Sequence, residues 1–584
     1  MDADQELEND IPTAQSTRLP RAFRPISYRL KIQPFFPSGV PYPPERNFTF
    51  DASVMIDILC LQDATNLTLH GKNLDILDYS LSIALATPSL EVDPTKQQLI
   101  FRLEKPITAG TKFSINITYK GLVNEMPDLG FFRSGYVENG KQRWIVATQF
   151  EGKSHEPSHA RDAVPSFDEP AYKASWHITV VHPAHLMALS NQPIISTQTL
   201  NNKWRETTFF PTPVAPSYVI CFAIGDFVAK LTTSRLGTQI RLMGFPEIAP
   251  YLDLALQTSA KAVDFLAEYL NFGYPLQKLD IVGLPEFAGG AFENWGLVTF
   301  QYENLIFDPH VHTTKHKAKV VKTVCHEITH QWFGNLVTME WWDNVVLSEG
   351  FAAYFEYLLA KKIYPEESLF YDTLFVEDAV KGAMQADSEP FVHPVLDPDG
   401  PDFGPISYSK GASLLHMLKF TLGEECFRKG LQHYVHKHAY RTATYVDLFE
   451  SLTQVAKSCG LRDWCGRDLN VLKLMEPWVL EAGLPQLEAR TQTEGTVALH
   501  PEGNEEILPL WYKNLQQLQF TWALPNAADC AKPFERRILP SQVVINPESR
   551  SYVAVQYDDR HWTFLATRLN HKRDVNTYCN FQFI

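Results

Sequence analysis

The sequence predicts a multidomain α+β protein whose order along the chain is β, then mostly α, then β. Three observations carry this. A chain of 584 residues is too long for one hydrophobic core and should divide into roughly three to four domains. Short segments alternating apolar and polar residues fill the first part, helical spacing fills the middle, and alternation returns after Gly483. The composition, 45% apolar and 20% charged with no long low-complexity tract, is that of a chain that folds over most of its length.

Residues 1–20 read as an N-terminal tail. Over 21–230, segments such as Ser27-Tyr-Arg-Leu-Lys-Ile and Lys112-Phe-Ser-Ile-Asn-Ile-Thr-Tyr lie between Pro, Gly and Asn turns, the rhythm of an antiparallel β domain. Over 231–483 the pattern turns helical. Leu252, Leu254, Ala255, Ala262 and Phe265 predict a helix ending near Asn271, and Val320, Val321, Val324 and Ile328 place another over Lys315 to Phe333. A third covers Asn344 to Lys362, and helices continue from Lys410 to about Ala482. Residues 484–570, with Val497-Ala-Leu, Leu518-Gln-Phe-Thr-Trp and Tyr552-Val-Ala-Val between polar turns, read as a small C-terminal β-sandwich, and 571–584 as an atypical tail.

A formal net charge of −15 without a Lys- or Arg-rich stripe argues against nucleic acid as a partner. Every apolar run falls short of the ~18 residues of a spanning helix, so no membrane span is expected. The start, MDADQELEND, is acidic where a signal peptide is basic and then apolar, so no targeting signal is expected in the chain. Against this, the sequons at Asn47, Asn66 and Asn116 favour a secretory route and a glycoprotein. The compartment therefore stays open between extracellular or cell-surface and cytoplasmic. Among the eight cysteines only Cys459 and Cys465 are close enough for a local disulfide, with two free thiols as the equal alternative.

In the helix predicted over Lys315–Phe333, His326 and His330 lie four residues apart on one face, with side chains about 5–6 Å from each other. That suits a single zinc ion. Glu327 stands beside the first histidine, placed to reach a water at the metal rather than the metal itself. Glu349 follows His330 after eighteen intervening residues, on the next predicted helix. It completes the two-histidine, one-carboxylate set of a catalytic zinc, one per chain.

Around these residues the chain reads Val324-Cys-His-Glu-Ile-Thr-His-Gln-Trp-Phe-Gly-Asn-Leu-Val-Thr, then Glu340-Trp-Trp-Asp and Leu347-Ser-Glu-Gly-Phe-Ala. This resembles the aminopeptidase N family of zinc exopeptidases, with its HExxH and a glutamate eighteen residues further on. The resemblance runs from about Leu19 to Leu569. Gly290-Ala-Phe-Glu-Asn-Trp-Gly-Leu is similar to the family's GAMEN motif, with Phe292 in place of methionine. It implies Glu293 as the acceptor for a substrate's free α-ammonium, with Gly290, Ala291, Phe292 and Asn294 also at the substrate. Thr148-Gln-Phe-Glu, with Ala160-Arg and Pro165-Ser-Phe-Asp-Glu-Pro, is similar to the family segment TQFEPTDARxxFPCFDEP. It implies Gln149 in the first-residue pocket and Glu151 as a second ammonium anchor. Ile406-Ser-Tyr-Ser-Lys-Gly-Ala resembles YxKGA and nominates Tyr408 to stabilise an oxyanion.

The chain also departs from that pattern. It carries extra residues between Glu151 and Ala160, has Ser166 where the family has cysteine, and has a shorter proline-containing loop before Tyr408. The resemblance implies a thermolysin-like catalytic domain and a zinc-activated water with Glu327 as general base. The implied substrates are peptides with a free N-terminus. Family members continue into a helical C-terminal domain that this chain is expected to lack, which would leave a surface for self-association. Three rivals stand beside the aminopeptidase reading. A thermolysin-like endopeptidase would have no use for Glu293, a zinc epoxide hydrolase would need a lipid pocket, and a truncated form would serve as a weakly active or non-catalytic binding or decoy protein.

Overall fold

The computed structural model describes residues 17–83, 87–153, 156–397, 400, 403–492, 496–502, 506–514, 517–523, 538–540 and 543–571. Along Phe23–Phe35 and Thr49–Cys60 buried side chains alternate with exposed or half-buried ones, so each strand offers one face to the core. The two pair antiparallel, and the second pairs likewise with Lys112–Leu122. This seven-stranded sheet is mixed rather than wholly antiparallel, because Phe23–Phe35 also pairs parallel with Ser175–Pro183. A parallel pair needs a long crossover, and the strands between these two supply it. The three sequon asparagines are exposed on these N-terminal sheets or in the turn between their first two strands.

A five-stranded sheet carries Gln149 at the end of its strand Lys141–Gln149. The extra residues that follow begin and end in a two-stranded hairpin, Glu151–Lys153 against Glu156–Ser158, with Glu151 opposite Ser158. Pairing keeps Glu151 at the hairpin's base.

Between the first sheets and the helices lies a feature that the helical spacing of 231–483 did not reveal. It is a second five-stranded sheet, in the order Val228–Thr233, Gln239–Gly244, Lys278–Leu284, Leu297–Gln301, Ala291–Phe292. Lys278–Leu284 is buried at every position, so it lacks the alternation by which a half-buried strand is recognised. The short strand Ala291–Phe292 forms one edge of this sheet.

Among the described residues the middle region forms nine α-helices, α1 (Asp253–Tyr269), α2 (Thr314–His330), α3 (Val346–Ile363), α4 (Ser368–Leu374), α5 (Lys381–Asp387), α6 (Gly411–Leu422), α7 (Glu424–His438), α8 (Tyr445–Ser458) and α9 (Val471–Leu480). Thr313 caps α2 by accepting from His316 N at 3.2 Å. α2 stops short of the expected Phe333, because Asn335 N turns back to His330 O at 3.1 Å. After α9 come two small sheets, one of four strands and one of three, and a closing helix, Asp559–His571.

A single cluster of buried apolar side chains runs from Leu19 to Val555, joining all these layers. The local disulfide between Cys459 and Cys465 does not form. Cys465 is disulfide-bonded, whereas Cys459 is a free thiol that caps α8 and hydrogen-bonds Cys426 on α7. Cys530, Cys579, most of the N-terminal tail and residues 572–584 lie outside the described residues. Among the described residues no helix is long and apolar enough to cross a membrane.

Candidate active site

α2 and α3 pack against each other and bring His326, His330 and Glu349 together. The two imidazole centroids are 4.8 Å apart. Glu349 Oε2 lies 3.2 Å from His326 Nε2 and 3.3 Å from His330 Nε2. The opposite ring nitrogens are occupied. His326 Nδ1 donates to Glu356 Oε2 at 3.0 Å, and His330 Nδ1 faces the Phe333 carbonyl at 3.1 Å and Ser348 Oγ at 2.9 Å. A carboxylate and a carbonyl oxygen only accept, so both Nδ1 atoms carry protons, and in the neutral imidazoles both Nε2 atoms turn lone pairs toward Glu349. Three acceptors facing one another, with His330 and Glu349 buried and His326 partly so, call for a cation between them, and these donor types suit zinc.

The electrostatics lead to the same requirement. Burial alone would lower His330, but Glu293 and Glu349 outweigh it and raise its pKa to about 9. Burial would raise Glu349, yet His330 and His326 hold it well below the usual carboxylate range. Protonated imidazoles would instead donate through Nε2 to Glu349, so a proton on each Nε2 and a cation between them are alternative sources of the same positive charge.

The turn after α2 depends on Gly334, at φ +118°. A Cβ there would run into Ser348 Oγ, the atom that meets His330 Nδ1. Only glycine combines this backbone with so close an approach.

Glu293 sits in the loop between the strands Ala291–Phe292 and Leu297–Gln301. Its main-chain oxygen accepts from Gln331 Nε2 at 2.9 Å and Asn335 Nδ2 at 2.8 Å, which ties the loop to α2 and the turn beyond it. Its carboxylate is 3% exposed, and Glu293 Oε1 and Glu327 Oε2 are buried without a hydrogen-bond partner. Glu151, also 3% exposed, joins them. Its pKa is raised well above the ordinary value, first by burial and then by Glu293, with which it hydrogen-bonds, and by Glu349. Burial likewise pushes Glu327 up to about 8, against the pull of His326 and His330. Four buried carboxylates thus crowd one space with orphaned oxygens. Such a space attracts cations.

The other nominated residues lie around it. Gln149 accepts from Asn294 Nδ2 at 3.2 Å and donates to Glu151 O at 3.2 Å, and both amide side chains are buried. Gly290 O accepts from Gln301 N at 3.1 Å and Asn304 Nδ2 at 3.0 Å. Phe292 is half-buried, with its ring edge-on to Phe287 at 5.4 Å. Tyr408 lies on a turn of π-helix, Ile406–Lys410. Its ring is parallel to that of His326 at 5.9 Å, and its hydroxyl hydrogen-bonds Glu349.

Glu356, Ser348, Gln331 and Asn335 were not among the sequence candidates. Glu356 was recoverable, since it falls seven residues after Glu349 and so two turns along the same face of α3. Of the other three, Ser348 meets His330 Nδ1, and Gln331 and Asn335 hold the Glu293 main chain, contacts that no spacing rule encodes.

With this geometry described, the comparisons with known proteins become specific. Residues 254–478 match the Peptidase family M1 domain, and residues 24–219 match the Peptidase M1 N-terminal domain. The chain is 37% identical over 516 residues to putative aminopeptidase-2 of Caenorhabditis elegans, covering 87% of this chain and 27% of that protein. It is 34% identical over 591 residues to aminopeptidase N of Rattus norvegicus, covering 94% and 59%. Against endoplasmic reticulum aminopeptidase 2 of Homo sapiens it is 31% identical over 605 residues, covering 95% and 61%. The chain therefore spans about three fifths of the length of the last two, and about a quarter of the first. Two domain matches in the order found here, and relatives that share nearly the whole chain, place it in the aminopeptidase N family of M1 metallopeptidases.

Proposed function

We propose that this chain is a zinc-dependent aminopeptidase that releases single residues from the free N-termini of peptides. The observation that carries this reading is the hydrogen-bonded pair Glu151–Glu293, buried beside the candidate metal ligands with one Glu293 oxygen lacking a hydrogen-bond partner. A peptide's α-ammonium, with pKa ~8 in water, stays cationic beside such a pair. An endopeptidase has no need of it, because mid-chain amides carry no charge.

In this reading His326, His330 and Glu349 hold one zinc ion, with Glu356, Ser348 and the Phe333 carbonyl fixing the two imidazoles. When bound, the metal supplies a Lewis acid for the scissile carbonyl and lowers the pKa of a water. Glu327 takes the proton from the attacking water and returns it to the leaving amine. The Tyr408 hydroxyl, directed at this space from the π-helical turn, donates to the developing oxyanion. Ala291–Phe292, at the edge of its sheet, offers main-chain groups to an extended substrate, in the manner of strand addition. Gln149 and Asn294 hold Glu151 and Glu293 in register from behind.

For the domain limits, the same reading assigns 21–230 to the N-terminal β domain, 231–483 to a thermolysin-like catalytic domain and 484–570 to a β-sandwich formed by the two last sheets.

The test is hydrolysis of aminoacyl-coumarins, together with a peptide and its N-acetyl twin, with and without a chelator. The expected result is chelator-sensitive cleavage of the free amines and none of the acetylated peptide. Cleavage of both twins at equal rates would leave the endopeptidase reading in its place.

A further inference from the structure

The π-helical turn that carries Tyr408 also carries Lys410, and the two side chains, two residues apart, leave the turn in different directions. Tyr408 reaches Glu349. Lys410 runs into the interior, where its Nζ lies 2.9 Å from Asp387 Oδ2 and 3.1 Å from Asp387 Oδ1, and 3.4 Å from Gly483 O. Asp387, near the end of α5, also accepts from Tyr552 OH at 3.1 Å and from Gly483 N at 3.2 Å. Lys410 is 1%, Asp387 3% and Tyr552 1% exposed. Tyr552 stands two residues before the strand Ala554–Tyr557. One dry chain of hydrogen bonds therefore links the C-terminal sheets to the turn holding Tyr408. A second tie runs beside it, from His416 Nε2 on α6 to Glu548 O at 3.2 Å.

The turn has no cushion against α3. A Cβ on Gly350 would meet Gly411 Cα and Ser407 O, each at 3.3 Å, and one on Gly411 would meet Gly350 Cα at 3.0 Å. Gly350 follows Glu349 directly, so backbone lies on backbone next to a nominated metal ligand. A shift of the turn along α3 therefore moves the Tyr408 hydroxyl relative to Glu349. A buried ion pair adds little net stability compared with apolar packing, but it does impose one arrangement.

We propose that Asp387 and Tyr552 are positioning residues for Tyr408. Through Lys410 they set where the π-helical turn rests on α3, so the C-terminal sheets help to build the reacting geometry. The inference rests on the proposed role of Tyr408.

Tyr552→Phe removes one hydroxyl and keeps the ring, and Asp387→Asn keeps the shape and removes the charge. Each is expected to lower kcat, Tyr552→Phe by up to about tenfold, the scale of one hydrogen bond, with KM and zinc content unchanged. Tyr408→Phe is expected to lower kcat by about 10²–10³. The deciding measurement is the double-mutant cycle. In the Tyr408→Phe background, Tyr552→Phe and Asp387→Asn should each change kcat less than about twofold, because the group they position is gone. An equal drop in both backgrounds, a change in KM alone, or no effect of Tyr552→Phe on kcat overturns the inference while leaving Tyr408 in its role. If Tyr408→Phe itself keeps full kcat, the role of Tyr408 is wrong and the inference goes with it.

Discussion

The carboxyl of Glu151 hydrogen-bonds the carboxyl of Glu293, although one comes from the base of a hairpin in the N-terminal sheets and the other from a loop of the central sheet. Two buried acids in contact hold a proton between them until a cation replaces it. Glu293→Ala should therefore cost far more on free-amine substrates than on any blocked one. The lost charge-assisted contact is worth ~1.5–3 kcal/mol, or about 10- to 150-fold in kcat/KM. Paired measurements on a peptide and its N-acetyl twin check this, and a similar loss on both would place Glu293 elsewhere in the chemistry.

Glu327 lies beside His326 and outside the group His326, His330 and Glu349, although with Glu293 and His330 it forms a second set of ligand atoms within 4.8 Å of one another. Glu327→Gln should abolish turnover and keep its metal, whereas His330→Ala should lose it. Metal analysis of the two purified variants decides the matter. Zinc lost equally from both would make Glu327 a ligand.

Phe292 stands where relatives of this motif carry a pliable thioether, and its ring is braced by Phe287. A rigid apolar wall beside buried carboxylates should favour neutral first residues such as Ala, Leu and Met over Asp and Glu. A panel of aminoacyl-coumarins reads this directly, and faster cleavage of acidic residues would contradict it.

Gly334 allows the turn after α2 to pass against Ser348. Gly334→Ala should destabilise the fold by about 1–3 kcal/mol through strain at positive φ and should loosen the metal by displacing Ser348 from His330. Thermal unfolding and chelator competition report the two effects. Wild-type values in both would mean that the turn has slack the packing does not show.

His70 is buried, with Nε2 at 2.8 Å from Thr17 O and Nδ1 accepting from Asp168 N at 3.3 Å. Burial, then the Arg161 guanidinium, lowers its pKa to about 3, although Asp168 pulls the other way. The unfolded chain, with His70 near its ordinary 6.5, binds the proton first as pH falls. The stabilisation is therefore complete above about pH 6.5 and is lost progressively toward pH 3. His70→Gln should flatten this acid limb by on the order of a few kcal/mol. Unfolding midpoints of both proteins from pH 7 to 4 measure it, and parallel curves would show that His70 does not titrate between folded and unfolded states.

Some of this protein was legible before any coordinates, for a definite reason. His326 and His330 are four apart on one helix, and α-helical geometry alone puts them on one face. Strands with one buried face, such as Phe23–Phe35, alternate and announce themselves. Lys278–Leu284, buried on both faces, does not, and so the central sheet that presents Ala291–Phe292 stayed hidden. Only tertiary structure decided the rest. It placed Glu151 against Glu293 across the boundary between two sheets, left Cys459 beside Cys426 rather than bridged to Cys465, and ran Lys410 through Asp387 to Tyr552. These are contacts between groups far apart in the chain, set by packing and by the need to satisfy buried charge. Local periodicity carries no record of either.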